Sequence, residues 1–450
     1  MSLKNKIISV KAEKIIFPGR SLCRCEDGIA LFAEGVLPGE TADVLVIKDK
    51  KSFREGVIKR IVQKSDERIE PLCSSFGSCG GCAFQNTDYE NQVKYKKGYI
   101  DELLNIFGVE IGSILQSTEI WNYRNKMEFS FFNGEGITDL GLHCRGSFNK
   151  YISIPPCYIA DKDFIKAAQI VKDFANKNGI AAYDNKTHEG FFRHLVLRKA
   201  KNNNQLLINI VTNVLEGSHA FFEPLVKKLR DFVQSVYWTQ NASRSDAVVL
   251  DKLTLLLGKE NITEKLTVGN RDFYFNVSPF SFFQTNSKGA EMLYNEVLRQ
   301  LSPSKEDILL DLYCGTGTIG ICMSHRVKKV TGIEQSASAI ENAKTNALLN
   351  NAVNAEFFAS TVEKWVKENN LAFDAIIVDP PRSGLTNDII KFLLGSQARK
   401  IIYVSCNPST LARDLALMTA SGRYAVKIIT PTDMFPQTYH MESVVSLEKI

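Results

Sequence analysis

Cys406 closes an apolar, β-branched run, Ile401-Ile402-Tyr403-Val404-Ser405, and Asn407-Pro408 stops the strand that this run predicts. Residues 409–418 have the composition of a helix, and proline suits a first helical turn because its missing N–H costs nothing there. A cysteine held between a strand end and a helix start feels oriented N–H groups, which favour the nucleophilic thiolate. The plain alternative is a packed thiol. A second centre of chemistry is Asp311-Leu312-Tyr313-Cys314-Gly315-Thr316-Gly317-Thr318-Ile319-Gly320, a glycine-rich stretch between a strand pattern and a helix pattern. Its glycines let the backbone approach a ligand. Glu334 ends the next strand pattern, 23 residues after Asp311, where a carboxylate can bind ribose hydroxyls. The third is Cys73, Cys79 and Cys82, spaced C-x5-C-x2-C among Gly77, Gly80 and Gly81, which reads as a metal or cluster site.

Gly315, Gly317 and Gly320 also satisfy G-x-G-x-x-G, so a nicotinamide dinucleotide is the first competitor for the loop. Asp311 argues against a pyrophosphate, which it would repel, and for a sulfonium or amino group. Asp379-Pro380-Pro381-Arg382 follows a later strand pattern and resembles the tetrapeptides of methyltransferases that act on planar nitrogenous rings. Glu442, in His440-Met441-Glu442-Ser443, precedes the last strand pattern and can act as a base at the same rim; the plain alternative is a solvated cap.

The elements that must position these groups fall into three blocks. Residues 4–64 carry short alternating runs at 6–10, 29–32, 42–47 and 56–62, separated by Pro18-Gly19, Asp27-Gly28 and Pro38-Gly39. That pattern predicts a small antiparallel barrel. Helix is expected at 88–107, with Asp88 as N-cap, at 161–178 and at 221–235. Alternation at 126–132, 192–198 and 206–212 predicts a mainly-β central block. Beyond residue 266 strands and helices alternate to the strands at 424–429 and 444–448, one of which is expected to run antiparallel. This predicts a doubly wound parallel α/β sheet.

The chain of 450 residues has an ordinary 44% hydrophobic and 23% charged content, and its net charge of +5 is unevenly placed. Residues 1–65 hold 13 Lys and Arg against 8 Asp and Glu, while the remainder holds 42 of each. The excess suggests a module facing a polyanion. Neither a signal peptide nor a run long enough to cross a bilayer is evident, so a cytoplasmic protein is expected. Ten cysteines are then metal ligands, nucleophiles or buried thiols rather than disulfides. Cys23, Cys25, Cys144, Cys314 and Cys322 read as ordinary thiols. Tyr123-Arg124-Asn125-Lys126 and Phe191-Phe192-Arg193-His194 mix aromatic and basic groups, as RNA-gripping strands do, although half-buried strands with solvated tips have the same composition.

Leu37-Pro38-Gly39-Glu40 followed by 42–47 resembles the TRAM domain, an OB-like barrel found on RNA-modifying enzymes. Phe283-Gln284-x-Asn286, the 311–320 loop, Asp379-Pro380-Pro381-Arg382, Ser405-Cys406-Asn407-Pro408 and His440-Met441-Glu442 together resemble the RNA uracil-5-methyltransferase family (the TrmA and RumA group). The resemblance implies Cys406 as nucleophile and Glu442 as base. It also implies cofactor contacts from Gln284, Tyr313, Gly315, Glu334 and Asp379, and one from a polar residue near Thr361. S-adenosyl-L-methionine is the implied cofactor. Cys157, after Ile154-Pro155-Pro156, stands where iron–sulfur members carry a fourth ligand, which favours a [4Fe-4S] cluster over zinc for the cysteine set. The implied architecture is a TRAM barrel (1–64), a central iron–sulfur and RNA-binding domain (65–87 and 121–264) and a Rossmann-like class I methyltransferase domain (88–120 and 265–450). The implied activity is methylation of uracil C5 in 23S rRNA by a monomer. The alternatives are a transfer RNA enzyme of the same chemistry, an RNA-binding iron–sulfur protein without turnover, and a nicotinamide-dependent oxidoreductase.

Overall fold

A computed structural model describes residues 2–147, 149–154, 157–214, 219–245, 248, 250–369 and 371–450. The N-terminal residues form a closed barrel of β1 (Ile7–Ile16), β2 (Arg20–Arg24), β3 (Ala30–Ala33), β4 (Thr41–Asp49) and β5 (Phe53–Gln63), in the order β1-β2-β3-β5-β4. Alternation fills its core with Val10, Ala12, Leu31, Val44 and Val46. Arg20–Arg24, which the sequence patterns passed over, is a strand: Leu22 is buried and pairs between β1 and β3.

Helix α1 (Tyr89–Leu104) begins at Asp88, whose carboxylate accepts the Asn91 N–H at 2.8 Å. The central sheet contains β6 (Lys126–Asn133), β7 (Thr138–His143), β8 (Tyr151–Ser153), β9 (Phe192–Ala200), β10 (Gln205–Thr212), β11 (Ser235–Gln240) and β12 (Lys252–Gly258). Helices α2 (Lys162–Lys177) and α3 (Glu223–Leu229) pack on it through Phe164, Val171, Leu225 and Leu229. The helix expected over 221–235 is thus a single short one ending at Leu229. Phe232 and Val233 continue its apolar spacing from a turn, and the Gln234 N–H already bonds the Leu206 carbonyl.

A hairpin of β13 (Ile262–Val268) and β14 (Arg271–Val277) precedes α4 (Ser287–Leu301). Then follow β15 (Ile308–Leu312), α5 (Thr318–Ser324), β16 (Lys329–Glu334), α6 (Ala337–Leu349), β17 (Ala355–Ala359) and α7 (Val362–Glu368). The chain closes with β18 (Ala375–Val378), α8 (Asn387–Gly395), β19 (Lys400–Ser405), α9 (Pro408–Thr419), β20 (Tyr424–Thr432) and β21 (Glu442–Lys449). The sheet order is β17-β16-β15-β18-β19-β21-β20. Its central strands are buried on both faces, as parallel strands covered by helices must be. β21 runs antiparallel to both neighbours, as one of the last two strands was expected to.

That reversal positions chemistry. Parallel strands present their C-terminal ends at one rim, and ligands bind where the strand order switches, here between β15 and β18. An antiparallel strand brings its first residue to that rim. Ser443 pairs with Ser405, so Glu442 and Cys406 emerge side by side.

Candidate functional site

A cavity of ≈ 730 Å³ opens at this rim, within the size range of small-molecule sites. Gln284, Tyr313, Gly315, Glu334, Thr361, Asp379, Cys406 and Glu442 all line it. Residues separated by up to 158 positions thus meet because six strand ends and the loop before α4 converge. Tyr313 turns the chain out of β15 in the left-handed region (φ 63°), and Gly315 follows at φ 53°. Gly320 serves packing instead, and Gly317, at φ 75°, serves both. A Cβ at Gly317 would lie 2.8 Å from the Phe357 ring, and one at Gly320 would lie 2.8 Å from Asp311 Oδ2.

Asp311 is therefore a correction. It belongs to β15 rather than the loop, is fully buried, and accepts the Gly320 N–H at 2.9 Å, tying α5 to the strand. Its other oxygen has no partner. Asp379 is the aspartate that faces the cavity. Glu334 accepts the Ser336 N–H at 2.9 Å, and Thr361 caps α7.

Carboxyl groups dominate this cavity. Glu334, Glu363, Asp379 and Glu442 line it against a single cation, Arg382. Burial pushes Asp379 up to about 7. Burial, then the Asp379 charge, holds Glu442 well above the usual carboxylate range, with Arg382 opposing. Cys406 is pushed up to about 11 by burial and by the charges of Glu442 and Asp379. The thiolate expected from oriented N–H groups is thus overridden. Two acidic neighbours and low dielectric outweigh Arg382 and the local amides. The side chain of Asn407 also takes one α9 amide for itself, accepting from Ser409 at 3.1 Å, and donates to the Arg382 carbonyl at 3.0 Å.

The segment that delivers Glu442, residues 433–441, is held from several sides. One face of α1, Gln92, Lys96 and Tyr99, meets it. Gln92 exchanges two hydrogen bonds with Gln437, Lys96 donates to Asp433 at 2.8 Å and to the Phe435 carbonyl at 3.2 Å, and Tyr99 donates to the Tyr439 carbonyl at 2.7 Å. Tyr123 donates to the Pro436 carbonyl, and Asn286 to that of Met434. The barrel reaches it too, since Phe17 packs edge-on to Tyr439 and Gly19 abuts the same side chain. His440 ends the segment with its ring 3.5 Å from Arg382, and burial, then Arg382, pulls it down to about 4.

This network corrects the RNA-gripping reading of two strands. Tyr123 is fully buried and Asn125 bonds Gln284 O and Ser287 Oγ, both at 2.9 Å, so they brace the site from behind. Phe192, Arg193 and His194 are also buried; Arg193 lies over Tyr183 and bonds the carbonyls of Asn241 and Ser243. The aromatics exposed at the cavity are Phe280 and Phe282, 38% and 64% exposed. The sequence reading missed both; their alternation with serines ahead of Gln284 was the available signal. It missed the α1 face as well, which the i, i+4, i+7 spacing of Gln92, Lys96 and Tyr99 announces.

Cys73, Cys79, Cys82 and Cys157 line a second cavity of ≈ 220 Å³, together with Gly80, Gly81, Gln85, Arg124 and His143. Pro155 and Pro156 of the Ile154-Pro155-Pro156 stretch lie outside the described residues. Burial pushes Cys82 up to about 12, and the charges of Cys157, Cys79 and Cys73 add to it. Among the described residues no three His, Cys, Asp or Glu side chains converge on one metal ion. The four thiols ring a space rather than a point.

Known proteins resemble this chain over most of its length. The family described as tRNA (Uracil-5-)-methyltransferase matches residues 88–450. An uncharacterized RNA methyltransferase of Caldanaerobacter subterraneus is 42% identical, covering 99% of both chains. Another from Clostridium tetani is 36% identical over 99% of this chain and 98% of its own. The solved structure of Pyrococcus abyssi tRNA (uracil-54, C5)-methyltransferase with S-adenosyl-L-homocysteine aligns at a TM-score of 0.77 and 29% identity. That alignment covers 97% of this chain and 100% of the Pyrococcus chain.

Proposed function

Because this chain belongs to the tRNA (uracil-5-)-methyltransferase family and is an RNA (uracil-5-)-methyltransferase, we propose that it methylates uracil C5 in 23S rRNA with S-adenosyl-L-methionine as methyl donor. The observation that carries the reading is the acidic cavity at the sheet rim, which brings Cys406 and Glu442 together beside Asp379. Four carboxyl groups facing one arginine suit a cation. The domain division proposed is a TRAM barrel over 1–64, a central domain over 65–87 and 121–264, and a Rossmann-like methyltransferase domain over 88–120 and 265–450. The enzyme is proposed to act as a cytoplasmic monomer. Among the described residues no helix is long and apolar enough to cross a membrane.

The cofactor, when bound, supplies an electrophilic methyl group on a positively charged sulfur. Gln284, Tyr313, Gly315, Glu334 and Asp379 would hold it, and a positive charge held there would lower the proton affinity of Cys406 and Glu442. Carbon 5 of uracil is too weak a nucleophile to take the methyl unaided. Cys406 Sγ adds to carbon 6, which makes carbon 5 an enolate carbon. After transfer, Glu442 removes the carbon 5 proton, and the S–C6 bond breaks to free the thiolate and the methylated base. The base must leave any stack to reach the sulfur, and the exposed Phe280 and Phe282 rings offer it, or a neighbour, a stacking surface.

Cys73, Cys79, Cys82 and Cys157, which line the second cavity, are proposed to hold a [4Fe-4S] cluster, with zinc the lesser alternative. Its place is structural or RNA-positioning, behind the site. A transfer RNA substrate is the second reading, favoured by the full-length likeness to the Pyrococcus transfer RNA enzyme. Mapping 5-methyluridine in both RNA classes from a deletion strain decides. Loss from 23S rRNA alone supports the first reading, and loss from tRNA alone supports the second.

The cofactor's charge gives a pH signature. Asp379 ionises near pH 7, so affinity for S-adenosyl-L-methionine should rise as pH climbs from 6 to 8. The ionised fraction of one group at about 7 grows roughly tenfold over that interval, and the association constant should follow. Calorimetry at stepped pH reads this, and Asp379→Asn should flatten the dependence.

A further inference from the structure

Cys144 stands outside the four cysteines of the second cavity, yet the fold sets it directly opposite one of them. An isolated antiparallel bridge pairs Cys79 with Cys144. The Arg145 N–H donates to the Ser78 carbonyl at 2.7 Å. A bond from the residue after one partner to the residue before the other marks a non-hydrogen-bonded pair. In such pairs the Cα atoms stand about 4.5 Å apart with both side chains on one face. That lies inside the span a disulfide bridges, about 4.4 to 6.8 Å between Cα atoms.

Further observations agree with this register. Both cysteines are free and only half-buried, so oxidants and reductants reach them. Gly80 and Gly81, on the C-terminal side of Cys79, carry no side chain that would obstruct rotation of its sulfur.

We propose that Cys79 and Cys144 form a reversible disulfide when the cysteine cavity is empty, which withdraws Cys79 from the ligand set. The oxidant is a hydroperoxide. One thiolate attacks the peroxide oxygen, the O–O bond breaks, and a sulfenic acid and an alcohol or water result. The second thiol then forms the S–S bond and expels the hydroxyl as water. The two sulfurs together lose two electrons and two protons, and the peroxide takes up both. A dithiol reductant reverses the reaction. The crosslink rests only on the bridge register; its consequence for the cavity rests on the cluster reading above.

The test uses the full chain, stripped of metal by a chelator, treated with stoichiometric hydrogen peroxide, alkylated and digested with trypsin without reduction. The expected product joins peptide 69–94 to peptide 127–145, lighter than their sum by two hydrogens, with fragmentation placing the bond at Cys79. Cys144→Ser removes it. Fully alkylated Cys144, or bonds only among Cys73, Cys79, Cys82 and Cys157, would overturn the proposal. In a second arm, oxidised wild-type protein should take up no iron and sulfide, read as absorbance near 400 nm, until dithiothreitol is added. Uptake by the crosslinked protein before reduction overturns the withdrawal of Cys79. Reduced protein that takes up none overturns the cluster reading instead, and the peptide map alone then judges the crosslink.

Discussion

Cys406→Ala is expected to lower methyl transfer by on the order of 10⁴- to 10⁶-fold, as removal of a covalent nucleophile does. No covalent enzyme–RNA species should then form. Glu442→Gln should behave differently. Its turnover falls by about 10²- to 10⁴-fold, but addition and methyl transfer precede the step it blocks, so a denaturation-resistant RNA adduct should accumulate. Gel electrophoresis of each variant with labelled RNA separates the cases. An active Cys406→Ala protein would sink the mechanism, and a Glu442→Gln variant that is slow without adduct would move Glu442 ahead of the addition step. The structure sharpens why the pair matters. They leave adjacent, oppositely directed strands at the same rim, and burial raises the proton affinity of both.

Lys96→Met is expected to cost about 3–5 kcal/mol, the range for breaking a buried ion pair on one side. Lys96 and Asp433 are both completely buried, 2.8 Å apart, and the same Asp433 oxygen also accepts the Phe435 N–H at 3.1 Å. Methionine fills the lysine's space but strands the carboxylate. Asp433→Asn in the same chain should recover part of the loss, since no charge is then left unpaired. A denaturant midpoint reads both. Amide exchange should quicken first in residues 433–440, because those residues share the α1 latch. If the single and double variants lose equal stability, the pair is not coupled.

The α/β half was legible because its signals are local. Central parallel strands read as unbroken apolar runs, and caps such as Ser336 and Thr361 mark helix starts. Cys406 could be singled out because strand, break and helix adjoin it. The failures share a cause: burial decided from afar. Arg20–Arg24 is short and ends in charges, so only its barrel neighbours make it a strand. Tyr123-Arg124-Asn125-Lys126 has the composition of an RNA grip, but Tyr123 is buried and its hydroxyl donates to a carbonyl 313 residues away. Lys96 lies between Lys94 and Lys97, and nothing near it in sequence names Asp433. The raised proton affinity of Cys406 was hidden likewise, since two of its three causes, Glu442 and Asp379, come from other strands.

The separation between Lys96 and Asp433 also bears on how the protein is made. Their hydrogen bond spans 337 residues. At about 5–20 residues per second, a ribosome takes roughly 17 to 67 seconds to bridge that gap. Through that interval α1 exists without the carboxylate that neutralises it, and Tyr99 and Gln92 wait for partners equally distant. The helix cannot bury this face early without desolvating a lone ammonium group. Synthesis therefore keeps the latch open, and the residues that hold Glu442 in place close it when residues 433–440 emerge.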